Sequence, residues 1–231
     1  MSTHQLVCLP FAGSGASFFR NAKSLEGLEL LPIQLPGREE RFGEPMYTDV
    51  RAAAVDIAAR IREAHDSDSR VMILGHSFGA ILAFETAQLL GAMVDHVFVS
   101  GSPDPWHPRA ERASDLDEDE FIAQIETFAG YTHPALAHPE MRQIILPVLR
   151  GDVRMHESYR AHPDAVLDVP VTALRGADDH LVTEPDMLGW RAATTAAFIL
   201  ETRPGGHMYL ADQLDETLEF IAATARVSHG G

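Results

Sequence analysis

Short, uniformly apolar runs alternate with amphipathic segments along most of this chain. Leu6-Val7-Cys8-Leu9, Val71-Met72-Ile73-Leu74 and Val97-Phe98-Val99 are too short for buried helices and show no wet face. They predict strands covered on both sides, and further strands are predicted at 28–35, 169–174 and 197–201. Helical patterns lie between them. One follows the small-residue loop 11–17 and runs to about Leu25. Another, capped by Thr48 or Asp49, runs to about His65 with Val50, Ala54, Ile57, Ala58 and Ile61 at three- to four-residue spacing. An Ala-rich segment after Ser77 is stopped by Gly91, a helix is predicted at 184–194, and the last ends near Arg226. This alternation predicts one α/β domain, a mainly parallel sheet with helices on both faces. The active groups are then expected at the carboxyl ends of the strands.

The alternation pauses between 102 and 167, where the chain reads as helical and proline-punctuated. Ser114 fits a helix N-cap with acids in the first turn, and Phe121, Ile125 and Phe128 form an apolar face. The acidic run 115–120 is then a solvated helix start rather than a metal site. A second helix is predicted at 141–149. An insertion of roughly 60 residues is long for a loop and predicts a lid over a site.

Composition narrows the function. A formal charge of −16 argues against a nucleic-acid backbone as partner. The single cysteine, Cys8, sits in an apolar run and reads as core packing, which fits a reducing compartment. The N-terminus shows no basic stretch followed by an apolar one, and no apolar run approaches a membrane span, so a cytoplasmic protein is expected. The histidine spacings in the insertion match no zinc pattern, and no metal or cofactor is expected.

Candidate chemistry begins at Gly75-His76-Ser77-Phe78-Gly79. Four apolar residues precede it and an apolar, Ala-rich segment follows, so Ser77 stands at the apex of a strand–turn–helix. The alternative is a turn serine that merely caps the helix. A nucleophilic serine needs an imidazole to take its proton and a carboxylate to orient that imidazole. Asp179 and His207 follow later strands, in the Ser, Asp, His order of the α/β-hydrolases. Asp178 competes with its neighbour. Asp179 is preferred because it lies three residues after Gly176, a Gly-x-x-Asp spacing. His207 is preferred for its position after Gly205-Gly206, whereas His76 is read as a packing or hydrogen-bonding residue. The oxyanion donors are expected at the backbone N–H of Phe78 and of Ala12, in the loop after the first strand.

With these residues assembled, the sequence resembles the type II thioesterases associated with polyketide and nonribosomal peptide synthases. The resemblance covers nearly the whole chain. It rests on Leu-Pro-Phe-Ala-Gly at 9–13, Gln-Leu-Pro-Gly-Arg-Glu-Glu-Arg at 34–41, the serine motif, Leu-Pro-Val-Leu-Arg-Gly-Asp at 146–152 and Gly-Gly-His-Met-Tyr-Leu at 205–210. The second and fourth of these are far more specific than the serine motif. Family members often have a second glycine where Ser14 stands, and two phenylalanines where Met208-Tyr209 stands. Phe11 and Met208 are accordingly candidates for the substrate pocket. The resemblance implies hydrolysis of acyl thioesters on the phosphopantetheine arm of acyl carrier or peptidyl carrier domains. It also implies an editing role and a lid at about 105–167. The arginines at 109, 112, 150, 154 and 160 are candidates for docking a carrier domain. A general carboxylesterase and a non-catalytic carrier-binding module are the competing readings.

Overall fold

The computed structural model describes residues 4–65, 69–107, 112–129, 136 and 138–227. Six parallel strands form one sheet in the order β2-β1-β3-β4-β5-β6. They are β1 (His4–Leu9), β2 (Leu28–Pro32), β3 (Arg70–His76), β4 (Val94–Ser100), β5 (Val171–Gly176) and β6 (Phe198–Arg203). The helices are α1 (Val50–Ala64), α2 (Phe78–Leu90), α3 (Glu118–Ala129), α4 (Pro139–Ser158), α5 (Glu184–Leu188), α6 (Tyr209–Asp212) and α7 (Leu214–Val227).

The two-residue period of a strand sorts the apolar runs onto two faces. Val7, Leu9, Val71, Ile73, Val97 and Val99 pack with Ile57 and Ile61 of α1 and Phe84 of α2. The intervening Leu6, Cys8, Met72, Leu74 and Phe98 pack on the opposite side with Leu218, Ile221 and Ala225 of α7. Each run therefore serves two cores, which is why none shows a polar face. Cys8 is fully buried there, and burial pushes its thiol pKa up, away from reactivity.

Asp49 caps α1 by accepting from Ala52 N–H at 2.9 Å. The helix expected to run to Leu25 is only a 3-10 turn, Ala16–Phe19. Residues 20–27 are turn and irregular structure leading into β2. Ser114 lies in a 3-10 turn and does not cap α3. Its hydroxyl donates to the buried Glu157 carboxylate at 2.5 Å, and Asp117 accepts from Glu120 N–H at 2.9 Å in its place. The acids 118–120 do occupy the first turn of α3. The side chain of Phe128, together with Arg109 and His133, lies outside the described residues. Among the described residues no helix is long and apolar enough to cross a membrane.

The order of strands places a topological switch between β1 and β3. From β1 the chain moves outward to β2 on one side, then returns to β3 on the other. Loops leaving neighbouring strands in opposite directions open a crevice at their carboxyl ends. The loop after β1 and the turn after β3 flank that crevice.

Candidate active site

β3 ends at His76 and α2 begins at Phe78. Ser77 alone makes the turn, with φ 52° and ψ −115°, a region that side-chain-bearing residues rarely occupy. Its N–H donates to the carbonyl of Ser100 at the end of β4, 2.7 Å away, which pins the strained turn to the sheet. The flanking glycines permit the geometry. A Cβ at Gly75 would collide with the carbonyl of Gly79, and one at Gly79 with the carbonyls of Leu9 and Pro10. The N-terminus of α2 thus sits directly against the end of β1.

The structure brings the three expected side chains together. His207 Nδ1 lies 2.9 Å from Asp179 Oδ2, and His207 Nε2 lies 3.4 Å from Ser77 Oγ. A proton on Nδ1 donates to the carboxylate and leaves the Nε2 lone pair facing the serine. The longer contact is of a kind that tightens once a ligand closes the site. The other oxygen of Asp179, Oδ1, accepts from the N–H groups of Leu181 at 2.9 Å and Val182 at 3.0 Å. Burial pushes the Asp179 carboxyl pKa up. The His207 hydrogen bond and charge, with the two backbone donors, outweigh that and hold it below the ordinary value. Asp178 differs. Its N–H donates to the carbonyl of Gly205 at 2.9 Å, and the residue lines the cavity. Gly176 has no room for a Cβ against the carbonyls of Gly205 and Gly206, so the two acid- and base-bearing loops lie in contact.

Beneath His207 lies a polar chain that sequence reasoning did not resolve. His76 Nδ1 is 2.8 Å from Ser100 Oγ, which is 2.6 Å from the Tyr209 hydroxyl. The His76 ring centroid is 5.4 Å from that of His207. Burial, reinforced by the nearby His207 charge, pushes the His76 pKa down to about 3. It is neutral at working pH and supports the site as an uncharged neighbour. His96, 2.8 Å from Thr172 Oγ1 and stacked on Phe98, is pushed down to about 4 by burial. Both folded-state values lie below the ordinary 6.5, so between these limits the unfolded chain binds more protons than the folded one. Stability is then fully present above about 6.5 and lost as pH falls. Moving from pH 7 to pH 5 is expected to lower the unfolding free energy by on the order of 3 kcal/mol, measured by urea denaturation. His96→Gln should remove about half of that pH-dependent loss.

A cavity of about 970 Å³ adjoins the His207 side. Thr127 of α3 and Met141, Ile144, Ile145 and Val148 of α4 contribute to its lining, so the insertion between β4 and β5 supplies part of the cavity wall. Phe11 and Met208, the expected pocket residues, both line it, as do His180 and Leu181. Phe11 also packs edge-on against Phe18 at 5.0 Å. Ala12 is half-buried between two apolar clusters, and Phe78 is fully buried at the first position of α2. Of the arginines in the insertion, Arg150 donates to the carbonyls of Ser114 and Leu116 at 2.9 and 2.6 Å and lies over the Phe121 ring. Arg150 thus ties α4 to the segment before α3, whereas Arg160 donates locally to the carbonyls of Glu157 and Tyr159.

A parallel sheet with a serine on a strained strand-to-helix turn, faced by a histidine and aspartate from later strand ends, defines an α/β-hydrolase. The thioesterase domain family matches residues 4–224, and the chain belongs to that family. It is 36% identical over 235 residues to thioesterase PikA5 of Streptomyces venezuelae, covering 99% of this chain and 83% of that protein. It is 33% identical over 230 residues to gramicidin S biosynthesis protein GrsT of Aneurinibacillus migulanus, covering 96% and 89%. Among solved structures, the type II thioesterase BorB from the borrelidin biosynthetic cluster superposes with a TM-score of 0.85 at 33% identity, covering 96% of this chain and 94% of that one. The chain is a thioester hydrolase.

Proposed function

We propose that this enzyme hydrolyses acyl groups from the phosphopantetheine arms of acyl or peptidyl carrier domains, clearing stalled or misprimed chains in polyketide or nonribosomal peptide synthesis. The observation that carries the reading is the relay from Asp179 through His207 to Ser77 beside a cavity walled in part by α4. Ser77 Oγ attacks the thioester carbonyl carbon while His207 Nε2 takes its proton. Asp179 steadies the imidazolium that forms. The tetrahedral oxyanion is held by the N–H groups of Phe78 and Ala12, aided by the N-terminal end of α2. Collapse breaks the C–S bond and releases the thiol, which takes the proton from His207. A thiol leaves more readily than an amine, so little acid assistance is needed. His207 then deprotonates a water that attacks the acyl-Ser77 ester, giving the carboxylic acid and free serine. The insertion at 105–167 acts as the lid, and Phe11 and Met208 as walls of the acyl pocket.

The test is a panel of one acyl group presented on a phosphopantetheinylated carrier, on CoA and on a matched oxygen ester. The carrier thioester is expected to have the highest kcat/KM. Equal or faster cleavage of the oxygen ester would favour a general carboxylesterase. Carrier binding without turnover would indicate a docking module.

A further inference from the structure

Arg38 and Asp152 form a buried ion pair with a two-point fork, Nη1 to Oδ2 at 2.5 Å and Nη2 to Oδ1 at 2.9 Å. They are 8% and 1% exposed, so the pair is almost wholly removed from water. Burying two charges is costly, and replacing such a pair with apolar residues is often neutral or stabilising. Fold stability alone is therefore a weak reason for the pair, and its remaining bonds point to another. Asp152 Oδ2 also accepts from Gly13 N–H at 2.8 Å, and Arg38 Nη1 also donates to the Ser14 carbonyl at 3.0 Å.

Residues 11–14 form a tight turn closed by Ser14 N–H donating to the Phe11 carbonyl at 3.0 Å, with Gly13 at φ 78°. The Phe11 carbonyl and the Ala12 N–H belong to one planar, trans peptide, so they point in opposite directions. Whatever fixes the Phe11 carbonyl fixes the aim of the Ala12 N–H. The ion pair grips both Gly13 and Ser14 in this turn, and a Cβ at Gly13 would meet Leu149 of α4 at 3.0 Å, so the turn lies close to that helix.

We infer that Arg38 and Asp152 are positioning residues that hold the Ala12 N–H in line with the developing oxyanion. They act through the turn and touch no reacting atom. The inference rests on acyl transfer at Ser77 with Ala12 as an oxyanion donor. It deepens that reading by saying what orients the donor. An N–H that is misaimed by a fraction of an ångström loses most of its transition-state stabilisation while leaving ground-state binding intact.

The experiment compares wild type with Asp152→Asn, Arg38→Lys and the double variant Arg38→Met/Asp152→Leu, which buries no unpaired charge and keeps the fold testable. Three quantities are read per folded molecule: kcat and KM on an acyl thioester, the inhibition constant of an alkylboronic acid, and the dissociation constant of the carboxylic acid product. The boronic acid forms a tetrahedral adduct with a serine hydroxyl. Its binding to wild type and loss in Ser77→Ala test the acyl-transfer reading separately. Asp152→Asn and the double variant should lower kcat/KM and boronate affinity together by about 10- to 100-fold, mostly through kcat. KM and product affinity should change less than about threefold, and Arg38→Lys should fall between these variants and wild type. The inference is overturned if kcat/KM falls while boronate affinity stays at the wild-type value. It is also overturned if the folded double variant keeps wild-type kcat.

Discussion

Ser77→Ala is expected to lower kcat on an acyl thioester by at least about 10⁴-fold while leaving a cooperatively unfolding protein. The expectation rests on covalent chemistry at one oxygen. His207 Nε2 faces Ser77 Oγ at 3.4 Å, and alanine removes the nucleophile that this base activates. Residual turnover would come from water attacking a thioester still polarised by the backbone donors. The backbone at this position makes a second, independent prediction. Ser77 is held at φ 52°, where any Cβ is strained, so Ser77→Gly should be equally inactive yet more stable than Ser77→Ala by about 1 kcal/mol. Single-turnover kinetics and thermal unfolding of the two variants check both statements. Turnover within about tenfold of wild type in Ser77→Ala would rule out an acyl-serine intermediate.

The second large effect separates two adjacent acids. Asp179→Asn is expected to reduce kcat by about 10⁴-fold, whereas Asp178→Asn should stay within about threefold. Asp179 Oδ2 accepts a hydrogen bond from His207 Nδ1–H at 2.9 Å, and Oδ1 is held by two backbone N–H groups. An amide here keeps the shape but can turn its NH2 toward Nδ1. That drives the imidazole proton onto Nε2 and removes the base facing Ser77. Asp178 lines the cavity instead, and its loss alters only the polarity of one wall. Pre-steady-state acylation of both variants with the same acyl donor is the measurement. Equal losses would mean that the two acids share the role.

The strands were legible because their runs are apolar on both faces, which few other structures require. The serine turn was legible because two glycines bracket it, each forced by a backbone contact. Short-range signals failed where a distant partner took over. Ser114 has the chemistry of a helix cap, but the buried Glu157 carboxylate claims its hydroxyl and moves the helix start to Asp117. The segment after the first loop has enough apolar residues for a helix, yet Phe18 and Phe19 are used for packing around a single 3-10 turn. His76 stands beside the serine in the sequence. Only its burial, reinforced by the nearby His207 charge, explains why it stays neutral, and its Nδ1 is bonded to Ser100 rather than turned toward Ser77.

The sequence by itself determined the class of fold and picked out Ser77, His207 and a pair of adjacent acids as the groups to look for, because each is written in a contiguous pattern or a short motif at a strand end. Only the tertiary structure decided which of two neighbouring acids faces the imidazole, since that depends on the direction a turn gives each side chain. It alone joined Arg38 to Asp152, 114 residues apart, on the turn that carries Ala12. Such a pairing costs loop closure and desolvation that no local pattern records, and its purpose appears only when the backbone it grips is seen.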